Sequence, residues 1–138
     1  TKDLQLPIRR FVALAELAQQ SDVISLHCPL HTSTENLINA DFLIQMKRSA
    51  VLINTSRGGL IDNLALAQAL ENKVIAAALL DVLDVEPPSA SHILPTTRNA
   101  YITPHIAWIS LEARKRIVDS MRETLDLFLQ GKAQNQVN

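Results

Sequence analysis

Four short apolar segments alternate along the chain with helix-like segments of about ten residues. They are Val23–Leu26, Ala50–Ile53, Ile75–Leu80 and Tyr101–Thr103. Three of the segments are nearly continuous apolar runs, which is typical of strands buried on both faces of a parallel sheet. Because such strands alternate with helices, the pattern predicts right-handed strand–helix–strand units. We therefore expect an α/β fold with an open parallel sheet.

Helical spacing of apolar residues, together with capping residues at the ends, predicts the helices between these strands. They are Phe11–Gln20, Ala40–Met46 after its cap Asn39, a third from Asp62 or Asn63 to about Asn72, and the longest from Ser110 to Gly131. The stretch 84–99 contains three of the six prolines and several serines and threonines, and it is predicted to be a loop.

Glycine is scarce in this chain. The three glycines of the 138 residues are Gly58, Gly59 and Gly131. A G-x-G-x-x-G or G-x-x-x-x-G-K-[ST] phosphate loop therefore cannot be written anywhere in the sequence. We expect that the chain does not carry a phosphate-binding loop of the dinucleotide-binding or P-loop type. Gly58 and Gly59 instead predict a turn in which the backbone approaches a ligand closely.

Charge and cysteine content argue against several classes of partner. Thirteen Lys and Arg are interspersed with fourteen Asp and Glu, and the net charge is −1. The one tight basic cluster, 114–116, is flanked by Glu112 and Asp119, so we expect no nucleic-acid binding. The longest apolar run, Val74–Leu80, is too short to span a membrane. A single cysteine, Cys28, fits a reducing compartment, and we expect a soluble cytoplasmic protein.

Polar residues gather where each predicted strand ends. In open parallel sheets, ligands bind beyond the carboxyl ends of the strands. The candidates there are His27, Cys28 and Pro29 after the first strand; Asn54, Thr55, Ser56 and Arg57 after the second; Asp81, Asp84 and Glu86 after the third; and Pro104 and His105 after the fourth.

Arg57, Glu86 and His105 form a chemically coherent set among these candidates. Arginine presents a planar fork that matches a carboxylate. Histidine titrates near neutrality and can give or take a proton, and a glutamate beside it would orient the ring. The set suits a 2-oxo acid: Arg57 holds the carboxylate, and His105 protonates the carbonyl oxygen as a hydride arrives.

Each residue taken alone also has a plainer interpretation. Arg57 would be an ordinary surface residue, Glu86 a solvated loop carboxylate, and His105 or Asp81 the cap of a turn. Cys28 would be a small buried hydrophobe.

The histidines His27, His31 and His92 have no metal-ligand spacing with Cys28 or with each other, so we predict no metal site. Trp108 either packs in the core or lines a pocket.

Several longer motifs occur in an order that is familiar from one enzyme family. They are Ser21–Leu30, Leu37–Asn39, Met46–Lys47, Leu52–Asp62, Ala76–Val82, Val85–Pro88, Ile102–Trp108 and Glu112–Arg114. Over roughly residues 11–131, the sequence resembles the D-isomer-specific 2-hydroxyacid dehydrogenases. The resemblance is strongest to the glycerate dehydrogenase, or hydroxypyruvate reductase, branch.

The resemblance implies roles for particular residues. Arg57 matches the family's substrate-carboxylate arginine, Glu86 its histidine-supporting glutamate and His105 its proton donor. Asp81 matches the aspartate that holds the nicotinamide carboxamide. The full set of cofactor contacts implied for NAD or NADP is Cys28, Pro29, Thr55, Ser56, Arg57, Asp81, His105, Ala107 and Trp108.

The resemblance also implies how the chain is organised. Residues 1–109 match the C-terminal half of the NAD(P)-binding domain, which implies part of a Rossmann-like, doubly wound parallel sheet. Residues 110–138 match a helix and tail that return toward the substrate domain. The family's glycine loop and ribose-binding acid fall before residue 1. We therefore expect that the chain alone binds dinucleotide poorly and is inactive, and that its open sheet edge is covered by self-association or by an N-terminal half.

The sequence leaves three functions open. The first is an NAD(P)-dependent oxidoreductase acting on small 2-oxo or 2-hydroxy acids. The second is a non-catalytic module of the same fold that senses dinucleotide or binds a partner. The third is a truncated fragment without activity of its own. The choice between NAD and NADP is made at the ribose-binding loop, and the substrate is selected largely by the substrate domain, so neither is specified by these residues.

Overall fold

The computed structural model describes residues 10–132 and 134. The helices are α1 (Leu14–Gln20), α2 (Ala40–Leu43), α3 (Asn63–Glu71) and α4 (Leu111–Leu129), and the strands are β1 (Val23–Leu26), β2 (Val51–Asn54), β3 (Ala77–Leu80) and β4 (Ala100–Ile102). Two short 3₁₀ turns lie at Gly58–Leu60 and Leu94–Thr96. The chain divides into two compact units, the first ending at Pro104 and the second beginning at His105.

The four strands form one parallel sheet in the order β1-β2-β3-β4. Ile24 lies beside Leu52, Leu52 beside Ala78, and Ala78 beside Ala100. This arrangement confirms the predicted α/β parallel sheet, and the long C-terminal helix is present as well. Because all four strands run the same way, their carboxyl ends meet along one side of the sheet, which we call the carboxyl edge. The residues of this edge are 27–29, 55–58, 81–86 and 103–104.

Burial alternates along the strands, which differs from the expectation that both faces are buried. Ile24, Leu52 and Ala78 point into one core, where they pack with residues of α1, α2 and α3. Side chains of the opposite face, such as Val23 and Leu79, are 57% and 40% exposed. Within the described residues of the first unit, α1, α2 and α3 therefore pack against one face of the sheet, and the opposite face is partly exposed.

The helix starts follow the predicted caps. The Asn39 side chain accepts a hydrogen bond from the backbone N–H of Phe42, and Asp62 accepts two at the start of α3. Ser110 caps α4 by accepting from the N–H of Ala113. Such bonds satisfy amides that have no partner within the helix. Gly131 follows α4 with a φ of 72°, the left-handed conformation that favours glycine after a helix.

Candidate functional site

Asn54, the last residue of β2, organises the turn that carries the predicted arginine. Its side chain is fully buried, accepts a hydrogen bond from the Ser56 backbone N–H at 3.0 Å and donates one to the Arg57 carbonyl at 2.9 Å. Its own carbonyl accepts from the Asp81 N–H at 2.9 Å. A buried amide with its partners satisfied fixes the backbone around it. The turn is thus held rigidly, while the side chains of Thr55 and Arg57 remain exposed to solvent.

The ends of β1 and β2 are joined by a hydrogen bond between two predicted cofactor-contacting residues. The Ser56 hydroxyl donates to the Cys28 carbonyl at 2.7 Å. The cysteine is partly buried and packs against the core, and Pro29 beside it is exposed. The structure therefore places the backbone of 28–29 next to the backbone of 55–57, as expected for neighbouring parallel strands.

The ends of β3 and β4 are joined through a buried acid. Asp81 is 5% exposed, and its carboxylate accepts a hydrogen bond from the Thr103 hydroxyl. The Thr103 N–H donates to the Leu80 carbonyl at 2.9 Å. A buried carboxylate requires hydrogen-bond donors to remain in place. Asp81 therefore links the last two strands, which is more than the turn cap suggested by its sequence position alone.

Gly58 brings the arginine turn against the segment that carries Glu86. A Cβ atom added to Gly58 would overlap the carbonyl carbon of Leu83 and the nitrogen of Asp84. Gly58 therefore allows two stretches of backbone to lie in close contact. The sequence had instead predicted that it lets the backbone approach a ligand. On the far side of this contact, a carboxylate oxygen of Glu86 accepts the Leu83 N–H at 2.8 Å.

Asp84 and His92 form a second support for the same segment, and sequence reasoning gave them no joint role. His92 Nδ1 accepts the Leu94 N–H at 3.3 Å, and Nε2 lies 2.8 Å from a carboxylate oxygen of Asp84. This arrangement places the ring proton on Nε2, which donates to Asp84. Partial burial acts to raise the pKa of Asp84, but hydrogen bonds from the His92 ring, the Asn63 side chain and the Val85 N–H outweigh it and lower the pKa.

The remaining predicted residues lie at the start of the second unit. His105 has a φ of 56°, an uncommon backbone conformation for a residue other than glycine. Its carbonyl accepts the Trp108 indole N–H at 3.0 Å, so 105–108 form a compact turn that also contains Ala107. Trp108 is 53% exposed, so it is not buried within the second unit.

Within residues 10–132 and 134, no group of three or more His, Cys, Asp or Glu side chains is placed to hold a metal ion. Among the helices that the structure describes, none combines the length and the apolar character needed to cross a membrane.

The matching sequence profile identifies the family. Residues 2–107 match the profile described as "D-isomer specific 2-hydroxyacid dehydrogenase, NAD binding domain". The chain belongs to the D-isomer-specific 2-hydroxyacid dehydrogenase family. The matched region is the NAD-binding domain of this family, and the strand ends described above lie within it.

Two curated family members illustrate the similarity. The chain is 47% identical over 128 residues to glycerate dehydrogenase of Methylorubrum extorquens, covering 91% of this chain and 41% of the relative. It is 44% identical over 129 residues to hydroxypyruvate reductase of Blautia hydrogenotrophica, covering 94% and 40%. The resemblance to the glycerate dehydrogenase branch is thereby confirmed. The chain spans about 40% of the length of these relatives.

Solved structures of 2-hydroxyacid dehydrogenases and related reductases share the fold. An acyclic imino acid reductase in complex with NADPH and D-Arg superposes with a TM-score of 0.82 at 37% identity, over 92% of this chain and 40% of that one. The NAD-complexed D-isomer-specific 2-hydroxyacid dehydrogenase of Lactobacillus delbrueckii ssp. bulgaricus gives a TM-score of 0.78 at 33% identity, over 92% and 43%.

The Gly58 contact predicts that alanine substitution at two neighbouring glycines lowers the free energy of unfolding by clearly different amounts. Gly58→Ala places a methyl group against backbone that cannot rotate away, and we expect it to lower the free energy of unfolding by about 1–3 kcal/mol. Gly59→Ala is the control, because its Cβ would lie 2.9 Å from a terminal methyl of Leu30, a half-exposed side chain that can move. Urea unfolding midpoints measure both; equal effects would contradict the contact.

The lowered pKa of Asp84 predicts a stability term that depends on pH. A carboxyl group whose pKa falls on folding stabilises the native state above its ordinary value of 3.8, and the contribution is lost as the pH drops through the folded value. Because the side chain is 41% exposed, we expect Asp84→Asn to cost less than about 1 kcal/mol at pH 7. The cost should vanish in strong acid.

Asp119→Asn removes the same charge at an exposed position on α4 and is the matched control. Denaturant titrations between neutral pH and pH 3 measure both variants. A cost for Asp84→Asn that stays constant across this range would contradict the account.

Proposed function

We propose that this chain provides the catalytic residues of an NAD(P)-dependent oxidoreductase that interconverts D-2-hydroxy acids and 2-oxo acids, of the glycerate–hydroxypyruvate type. The observation that carries the proposal is the rigid carboxyl edge, in which Asn54 fixes the turn before Arg57 and leaves this guanidinium exposed. The glycerate dehydrogenase and hydroxypyruvate reductase relatives support the substrate class. In this proposal, residues 1–109 belong to the cofactor domain and residues 110–138 to the returning helix.

The carboxyl edge fits a dinucleotide on structural grounds. The buried Asn54 amide and the Ser56–Cys28 hydrogen bond hold two strand ends close together, and Pro29 and Thr55 are exposed beside them. An extended ligand can therefore lie across the backbone of both strands. The residues that would hold the cofactor are Cys28, Pro29, Thr55, Ser56, Arg57, Asp81, His105, Ala107 and Trp108.

The chemistry divides among three residues. Arg57 binds the substrate carboxylate through its planar fork and orients the carbonyl. His105 delivers a proton to the carbonyl oxygen in reduction and takes the hydroxyl proton in oxidation. Glu86 orients the histidine ring and favours its protonated form. When bound, the reduced nicotinamide supplies the hydride to the carbonyl carbon, so one hydride and one proton convert the carbonyl into a hydroxyl.

Two structural features support these assignments. The Gly58 contact joins the Arg57 turn to the Glu86 segment, and Glu86 is itself held by the Leu83 N–H. His105 follows β4 by three residues and has a positive φ, and such uncommon backbone conformations cluster at active sites. NAD or NADP serves as cofactor in this proposal, since the structural neighbours are complexes with NAD and NADPH. We place the protein in the cytoplasm.

The activity is tested with protein expressed from its complete reading frame. We expect NADH or NADPH oxidation when hydroxypyruvate is added, measured at 340 nm. Arg57→Gln should lower kcat/KM by about 10²-fold or more, since a charge-assisted bidentate contact is lost, and His105→Gln should lower kcat by about 10²–10⁴-fold. Arg116→Gln, an exposed arginine on α4, is the control and should leave both constants unchanged.

A second substrate isolates the role of the arginine. Hydroxyacetone carries a methyl group where hydroxypyruvate carries the carboxylate, so Arg57→Gln should erase most of the preference for hydroxypyruvate. A preference that survives the substitution would contradict the carboxylate role. Tight NADH binding without turnover of any 2-oxo acid would favour the dinucleotide-sensing alternative.

The outer side of β1 supports a further proposal about assembly. Among the described strands, β1 pairs with β2 alone, and Val23 on it is 57% exposed. Unpaired strand edges recruit additional strands. We propose that this side is paired in the working protein, by a second copy of the chain or by chain outside the described residues.

Light scattering on the 138-residue chain tests the pairing of β1. We expect self-association of the chain alone, and Val23→Lys should reduce it, because a lysine charge at a strand edge opposes pairing. Ser33→Lys, an exposed loop position with the same added charge, is the control and should leave association unchanged. A folded, monodisperse monomer would contradict the proposal.

A further inference from the structure

A cavity lies at the end of the sheet where the parallel strands begin, opposite the carboxyl edge. It has a volume of about 540 Å³, within the range of small-molecule sites. Three cationic side chains line it, one from each segment that leads into β2, β3 and β4: Arg48, Lys73 and Arg98. We call it the amino-edge cavity. None of the roles assigned above uses it.

The charge of the amino-edge cavity is strongly unbalanced. Against its three cations stands one acid, Glu71, whose carboxylate already accepts the Arg98 backbone N–H at 3.1 Å. Within the described part of the chain, none of the three cations forms an ion pair. The net charge of +2 in a concave site attracts anions, and a dianion matches it better than a single carboxylate.

The backbone around the amino-edge cavity is organised rather than loose. The last carbonyls of α3 accept N–H groups from the following turn, including Lys73 to Leu70 at 3.1 Å and Val74 to Ala69 at 2.8 Å. Arg48 Nε donates to the Lys73 carbonyl at 3.3 Å, which ties two of the three cationic segments together. The carbonyls at the negative end of the helix are therefore largely occupied and oppose an anion less.

The inner wall of the amino-edge cavity is apolar, formed by Leu70, Ile75 and Ala76. A site with an apolar wall and a cationic rim suits a ligand with an apolar body and one strongly charged group. We propose that the amino-edge cavity binds a small organic phosphate monoester. Arg48, Lys73 and Arg98 hold the phosphate, and the apolar wall packs against the ester group.

Phenyl phosphate is the probe, titrated by calorimetry into protein from the complete reading frame. We expect saturable binding that is tighter than binding of inorganic phosphate, because the phosphate ion lacks the apolar body. The double variant Arg48→Gln/Arg98→Gln should weaken binding at least about tenfold, the loss expected when charge-assisted hydrogen bonds are removed. Arg116→Gln is the control for an exposed arginine elsewhere, and Arg57→Gln is the control for the carboxyl edge; neither should change the affinity.

Glu71→Gln keeps the acceptor for the Arg98 N–H and removes the negative charge, so it should strengthen phenyl phosphate binding by about threefold or more. A gain of affinity cannot arise from misfolding, which keeps the proposal testable even if the double variant is unstable. Three results would overturn it: no binding, equal affinity for inorganic phosphate, or loss of binding in Arg57→Gln in place of the double variant.

Discussion

The close approach of the Gly58 backbone to the backbone of Leu83 and Asp84 is the contact on which the carboxyl edge depends. It allows the turn after β2 and the segment after β3 to lie directly against each other. Any side chain at Gly58 would push them apart. The positions of Arg57 on one side and Glu86 on the other therefore rest on a glycine that is needed for space, whereas Gly131 is needed for its backbone conformation.

Hydrogen bonds at the strand ends stabilise the carboxyl edge further. The Ser56 and Asp81 side chains each connect one strand end with its neighbour, and the Asn54 backbone carbonyl accepts the Asp81 N–H, so hydrogen bonds join the carboxyl edge from β1 to β4. The hydrogen bond between Asp84 and His92 stabilises the segment that follows β3. A reactive site benefits from such support because its groups must keep their geometry while a ligand arrives. The exposed Arg57 side chain is then mounted on a rigid base.

Much of the fold could be predicted because its signals are local. Asn39, Asp62 and Ser110 were predicted from helix-capping preferences, and all three accept the expected backbone N–H groups. The strands were predicted from apolar runs: the bounds of β1 agree with the structure, and those of the other three differ by one or two residues. Short apolar runs do not say which face of the sheet a given helix will cover, so the placement of α1, α2 and α3 on one face could not be read from the sequence.

The candidate site was only partly predictable, because its supports connect residues distant in sequence. The family motifs pointed to Arg57, Glu86 and His105, whose roles remain proposals. Thr103 and the Asp84–His92 pair carried no signal of their own, since their partners come together only when the sheet forms. The amino-edge cavity could not be predicted for the same reason: Arg48, Lys73 and Arg98 lie at least 25 residues apart in sequence, and only the parallel arrangement of the strands brings them together.

The central claim is that Arg57 and His105 act on a 2-oxo acid at the carboxyl edge. A crystal structure of the protein from its complete reading frame, with NAD(H) and the unreactive 2-oxo acid analogue oxamate, tests it most directly. The account predicts an oxamate carboxylate within hydrogen-bond distance of the Arg57 guanidinium, with His105 facing the oxygen that corresponds to the substrate carbonyl. Oxamate bound away from both residues, with the cofactor in place, would contradict it.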